Sequence, residues 1–205
     1  MKTTTKVWLG ASALLALVVA LICYRSKPAE PSYQGKSLSE WVGKIKAITF
    51  PEINLGSDSN TVQVAEALRA MGTNALPEIL AMLDANDSIV HKYIRTINHR
   101  QNYGIPMGPE PEISRVQAVR AFTLLGAIAK PAIPQLVARL EDTNRTFDAA
   151  AALAGIGPDA YPQLLQALHH TNSEIRSQIA MGIGSHGSNA SFAVPCLISM
   201  LYSSA

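Results

Sequence analysis

Residues 126–140 read GAIAKPAIPQLVARL: a glycine, a few small residues, then Pro134 at the head of an aliphatic run. The same order of parts returns in GTNALPEILAML from Gly72, GPDAYPQLLQAL from Gly157 and GSNASFAVPCLISML from Gly187. Counted from Pro77, Pro134, Pro162 and Pro195, the residue two beyond is Ile79, Leu136, Leu164 or Leu197. Three beyond stands Leu80, Val137, Leu165 or Ile198, and six beyond Leu83, Leu140, Leu168 or Leu201. All are large aliphatics, whereas the positions one and four beyond are polar or small. That spacing makes one face of a helix, and proline suits its first turn, where a missing N–H forfeits no bond. Each proline predicts a helix start.

Upstream of each proline a partner helix is expected to end near the glycine. Ala67, Ala121, Ala152 and Gly182 share one column, and Leu68, Phe122, Leu153 and Ile183 the next. Small residues allow two helices to approach closely, and the glycine is expected to supply a left-handed cap. The unit is a helical hairpin. The gap from glycine to proline is five residues in the first and third units and eight in the second and fourth, which suggests duplication of a two-hairpin block. The prolines are 57, 28 and 33 residues apart, so the first interval holds about one extra unit. That insert, 84–113, is expected to contain a helix from Asp87 with Val90, Ile94 and Ile97 inward, followed by the proline-rich loop NYGIPMGPEPE.

Composition agrees with helix. Of the 205 residues 48% are hydrophobic and only 6% aromatic, the apolar mass being Ala, Leu, Ile and Val. Residues 7–24 carry no charge and are flanked by Lys2, Lys6, Arg25 and Lys27, the pattern of a signal or a single membrane-spanning anchor. A signal peptidase site would fall inside the apolar run, at Val18 and Ala20, so retention as an anchor is preferred to secretion after cleavage. Cys23 follows Ile22 and so departs from a lipobox. The soluble part is expected outside the cytoplasm. Once the four flanking cations are set aside, thirteen basic residues remain against fifteen acidic ones, which speaks against nucleic acid as a partner. Cys23 and Cys196, far apart in sequence, suggest neither a disulfide nor a cysteine metal cluster. The expected layout is an anchor over 1–26, a linker over 27–36, an amphipathic helix over 37–50 and a four-hairpin repeat region over 61–205. In the first helix Ser37 and Glu40 form a capping box, Leu38, Trp41, Val42, Ile45 and Ile48 make the inner stripe, and Trp41 is read as a packing anchor.

AVRAFTLLGAIAKPAIPQLVARL and EIRSQIAMGIGSHGSNASFAVPCLISML, with their Val119–Arg120 and Ile175–Arg176 pairs and proline-led second helices, resemble short HEAT-type repeats. With YQGKSLSEWV ahead of them and the N-terminal apolar segment, residues 33–201 resemble bacterial membrane-anchored or exported HEAT-repeat proteins. The chain departs from that pattern in its short periods, in the insert, and in 147–151, where the Val-Arg pair is missing. The resemblance implies an all-α solenoid of helical hairpins and, most often, a protein-binding scaffold without catalysis. Enzymes occur on such stacks too. The deoxyhypusine hydroxylases ligate iron through His-Glu pairs, which this sequence lacks, while bilin lyases have no short signature to test; an envelope spacer is a third alternative.

Candidate contact residues follow from position. Second helices usually line the concave face of such stacks, which selects Glu78, Gln135, Arg139, Gln163 and Gln166 for an unidentified protein partner. His91, Arg95 and His99, joined by Lys92 and Arg100, form a basic helix face that suits an acidic partner or anionic headgroup, or is simply solvated. His169 and His170 are adjacent and point about 100° apart, which suits helix C-terminal polarity better than a shared metal. No cofactor or metal is expected. GIGSHG at 182–187 fits the dinucleotide template G-x-G-x-x-G, yet a helix precedes it and no acidic residue follows Glu174. It reads as the corner of the fourth hairpin, with His186 standing where Met71, Leu125 and Ile156 stand elsewhere and expected to be half-buried against the next helix. The run from Cys196 through Met200 to Leu201 carries no polar cap, and a continuation or contact surface is expected there.

Overall fold

The computed structural model describes residues 30–45, 59–86, 96 and 110–203. Its elements in chain order are β1 (Ser32–Tyr33), β2 (Lys36–Ser37), α1 (Leu38–Val42), α2 (Ser59–Met71), α3 (Leu76–Leu83), α4 (Pro111–Leu125), α5 (Ile133–Arg139), α6 (Thr146–Ile156), α7 (Tyr161–Ala167), α8 (Ser173–Gly184) and α9 (Val194–Ser203). The chain is therefore predominantly helical and belongs to the all-α class. The apolar run 7–24, most of the insert and residues 46–58 lie outside the described residues.

The start of the described chain is a small cap. Residues 32–36, expected as the end of a linker, and Ser37, expected to open the helix, pair as an antiparallel strand couple, Ser32 with Ser37 and Tyr33 with Lys36. The capping box forms: the Glu40 N–H donates to Ser37 Oγ at 3.3 Å and the Ser37 N–H to Glu40 Oε2 at 2.9 Å. Trp41 is 4% exposed, and its Nε1 donates to Tyr33 O at 2.9 Å. It anchors packing, as its place in the apolar stripe implied.

Four helix–turn–helix units follow, and each proline is the second residue of its helix: Pro77 in α3, Pro134 in α5, Pro162 in α7 and Pro195 in α9. Between the paired helices run 3-10 turns, Gly72–Ala75, Gly126–Ala132, Pro158–Ala160 and Gly187–Ala193, and their short-long alternation absorbs the five- and eight-residue gaps. All four corner glycines have positive φ. Gly126 (φ 54°, ψ −131°) and Gly157 (φ 101°, ψ −152°) are not left-handed caps, however. They occupy the mirror of the β region, open essentially to glycine alone, so the chain leaves each first helix through an extended kink.

The two small-and-large columns hold. Ala67, Ala121 and Ala152 are fully buried, Gly182 is buried, and Leu68, Phe122, Leu153 and Ile183 are fully buried beside them. Helix α6 packs against α4 and α8, while α3 lies against α4 and α5 against α6, each second helix beside the first helix of the next unit. One apolar core runs from Leu38 to Ala193. The proline-based columns hold at the second and sixth positions, except that Leu197 is only half-buried and the side chain of Leu201 is not described. The third position is buried at Leu80, half-buried at Val137 and Leu165, and exposed at Ile198, because on α9 no described helix follows to cover it. Ile198 (48% exposed), Val194 (47%) and Met181 (57%) leave this end apolar.

One side-chain tie recurs between units. Arg115, Thr146 and Arg176 each stand six residues before the small column, and Ala85, Asp142 and His170 each stand eight beyond a helix-starting proline. Arg115 Nη1 donates to Ala85 O at 3.1 Å, Thr146 Oγ1 to Asp142 O at 2.9 Å, and Arg176 Nη1 to His170 O at 2.8 Å. The three carbonyls lie in the turns that follow α3, α5 and α7, beyond the helical ladder, and Asp142 O also accepts the Arg145 and Thr146 N–H groups at 2.7 and 2.8 Å. The matching of Val119–Arg120 with Ile175–Arg176 is thus corrected: Arg120 adjoins the small column, while the counterpart of Arg176 is Arg115.

The run Pro111–Arg139 is long and apolar enough, by length and composition, to cross a membrane. Gly126 breaks it into two helices, and α4 is covered by α2, α3 and α6, so its apolar residues are core. The insert also ends earlier than 113, since α4 begins at Pro111.

Two glycines of α8 should respond oppositely to alanine. A Cβ at Gly182 would stand 2.8 Å from both Ala150 Cβ and Phe147 O and 3.0 Å from Ala151 N, backbone that cannot yield locally, whereas at Gly184 it would meet nothing within 4 Å. Gly182→Ala should cost about 1–3 kcal/mol and lower Tm by roughly 2–4 °C per kcal/mol. Gly184→Ala should add about 0.4–1 kcal/mol. Thermal unfolding of both variants checks the sign at each position.

Candidate interaction surface on the second helices

The turn after α3 gathers three arginines. Arg139 Nε and Nη2 donate to Asp84 Oδ1 and Oδ2 at 2.9 and 2.6 Å, a two-pronged pair, and its Nη1 donates to Gln135 O at 2.8 Å. Arg145 is buried; its Nη1 donates to Leu83 O at 2.7 Å and Ala85 O at 3.2 Å, its Nη2 to Asp84 O at 3.0 Å and to Asn86 Oδ1. Arg115, besides its tie to Ala85, pairs with Asp148 Oδ2 at 3.0 Å. The hydrogen bonds from Arg139 hold the Asp84 carboxyl below the ordinary carboxylate range, and Asp84 raises Arg139 in return. Burial pushes Asp148 up, against the opposing pull of Arg115 and Arg145.

One unit further on, the equivalent place is open. A cleft of about 420 Å³ lies between α5, α7 and α8. Leu140, Ile175 and Ile179, all buried, and the half-buried Val137 form its apolar wall, while Glu141, Gln163, Gln166 and His169 line its polar side. His170 Nε2 lies 3.1 Å from Glu141 Oε2, and its Nδ1 accepts from the Asn172 N–H at 3.0 Å. His169 Nε2 lies 3.6 Å from Cys196 Sγ, a free thiol. The two histidines thus engage separate partners at the end of α7. Among the described residues no three His, Cys, Asp or Glu side chains gather as metal ligands would.

The residues selected from sequence divide accordingly. Gln163 and Gln166 meet in the cleft. Gln163, with its amide nitrogen turned inward, donates to Asp159 O at 3.3 Å and Ala160 O at 3.1 Å. Gln135 is exposed and its carbonyl receives Arg139, whose charge is already committed to Asp84. Glu78 is half-buried on α3, away from the cleft. His91, Arg95 and His99, with Lys92 and Arg100, lie outside the described residues. Sequence reasoning missed Asp84, Arg115, Arg145 and Asp148. The signal that finds the arginines is the offset from the small column, six for Arg115 and seven for Arg145.

His186 is half-buried against α6, in the preceding unit, which corrects the expectation of a following helix. Its Nε2 lies 2.8 Å from Ala151 O and must donate there, and burial lowers its pKa below the ordinary imidazole value. Comparison with protein-family models, with curated proteins and with solved structures returns no match.

Two tests follow from these contacts. Arg145→Ala strips bonds from three backbone carbonyls and should cost about 3 kcal/mol in denaturant unfolding, while Arg139→Ala, whose partner is half-exposed, should cost about 1 kcal/mol. His186 is harder to protonate folded than unfolded, so the unfolded chain binds the extra proton below about pH 6.5. Stability should fall as pH drops through 6.5 toward the lower folded value and be unaffected by this group above it. In His186→Met, which restores the column of Met71, that share of the acid loss should vanish; equal pH slopes in the two proteins would refute the assignment.

Proposed function

We propose that the chain is a membrane-tethered scaffold, a HEAT-like α-solenoid in the cell envelope that holds another protein and performs no chemistry of its own. The carrying observation is the packing of each second helix beside the first helix of the next unit, α3 on α4 and α5 on α6, which supports reading the units as successive turns of one stack. A stack of this kind presents its second helices as a continuous surface. Here Gln135 and Gln166 are exposed on α5 and α7. The tether is the uncharged run 7–24 with its flanking cations, and the retained anchor would leave the remainder outside the cytoplasm.

The test is crosslinking in intact cells from a photoreactive residue placed at Gln135 or Gln166, with Ser177 on the first helix α8 as control. Defined protein adducts from the second-helix positions and none from Ser177 are expected. No adducts, or the same adducts from all three positions, would count against the scaffold reading.

A further inference from the structure

The cleft beside Glu141 is a rung of the repeat from which one side chain is missing. In the first pair of units the rung is complete: Asp84, seven beyond Pro77, takes the two-pronged guanidinium of Arg139, five beyond Pro134. The same positions one unit later are Glu141, seven beyond Pro134, and Ala167, five beyond Pro162. The carboxylate is kept and the arginine is replaced by a methyl group. The neighbouring arginine is lost as well, since Arg145 stands seven before Ala152 and its counterpart seven before Gly182 is Ile175. Two cations present at the first rung are thus absent at the second, and the space they would fill is the cleft of about 420 Å³, with Val137, Leu140 and Ile175 along its wall.

We propose that this cleft binds an arginine side chain of a partner polypeptide, which takes the place that Arg139 takes at the preceding rung. The guanidinium pairs with Glu141 and the methylene stem lies on Val137, Leu140 and Ile175, as long cationic side chains cover apolar surface while their heads stay polar. Glu141 has the capacity. Its side chain is 71% exposed and accepts one bond, from His170, whereas an ionised carboxylate offers about four acceptor sites. Charge complementarity selects the occupant: the rim holds a carboxylate, two amides and two imidazoles, and no lysine or arginine lines the cleft. Arginine is favoured over lysine because the template is a fork, not a point charge. The inference rests on the protein-binding reading and deepens it by naming what the partner must present.

The test uses the full chain in detergent and the peptide acetyl-Ala-Arg-Leu-amide, followed by saturation-transfer NMR, beside a twin in which citrulline replaces arginine. Saturable binding of the arginine peptide is expected, at least about tenfold weaker for the citrulline twin and at least about tenfold weaker with Glu141→Gln, an exposed position whose change leaves the fold intact. Ala167→Arg should raise Tm and abolish peptide binding, because it rebuilds the rung from within. No saturable binding, equal binding of the citrulline twin, or undiminished binding by Glu141→Gln would each overturn the proposal, whatever Ala167→Arg does. These outcomes are separable from the scaffold reading, because adducts from Gln135 report a partner even where the cleft takes no arginine.

Discussion

The turns that follow α3, α5 and α7 carry carbonyl oxygens beyond the helical ladder, and a side chain near the start of the next first helix donates to one carbonyl in each. Arg115, Thr146 and Arg176 do so from one repeat position, reaching Ala85, Asp142 and His170. Each bond ties the start of a first helix to the turn that precedes it in space, while core contacts hold the helices themselves. The small column then sets the depth of approach, and at Gly182 the backbone of α6 comes close enough to leave no room for a Cβ. The column joins α8 to α6, whereas the bond joins α8 to the turn after α7, so the two hold α8 to different neighbours.

The donor need not be the same residue, and the differences have consequences beyond packing. Threonine at 146 reaches Asp142 O and Leu140 O with a short side chain and no charge. Arginine at 115 and 176 brings a cation, and around α3 two further arginines join it. The first rung consequently concentrates positive charge on a helix C-terminus, where the dipole favours it, with Asp84 and Asp148 for balance. The second rung has no arginine at the positions of Arg139 and Arg145 and leaves open space beside Glu141 instead. The pattern allows this because each rung contributes to local packing, and a side chain can be lost at one while Asp84 and Arg139 still pair at the other.

What was legible in the sequence is what hydrophobic burial and backbone geometry select. The prolines, the small column and the aliphatics two and six beyond each proline are all placed by the sequence pattern, because burial demands the same size in every unit. The recurring tie was not legible, since Arg, Thr and Arg share a donor and little else, and a pattern sought by residue type paired Arg120 with Arg176 instead. The glycine conformation was half-legible: a positive φ follows from glycine at a corner, but the extended ψ at Gly126 and Gly157 depends on the 3-10 turn that each feeds. Ile198 misled because a repeat column predicts burial only where a further helix comes to cover it. The cleft is a comparison between rungs, visible only after Asp84 and Arg139 are seen to touch.

GIGSHG shows why a matching string can carry no chemistry. Its three glycines answer three separate constraints: Gly182 admits α6 at a distance where a Cβ has no room, Gly184 faces open space, and Gly187 turns the chain at φ 57°. A phosphate site needs the glycines to act together, with successive N–H groups aimed at one anion from the start of a helix. Here they stand at the end of one, where carbonyls point outward and the dipole repels an anion. The histidine among them follows from the first constraint. Because Gly182 brings α8 so near α6, the ring of His186 reaches the Ala151 carbonyl at 2.8 Å, and a hydrogen bond replaces the apolar contact that Met71, Leu125 and Ile156 make in the other units.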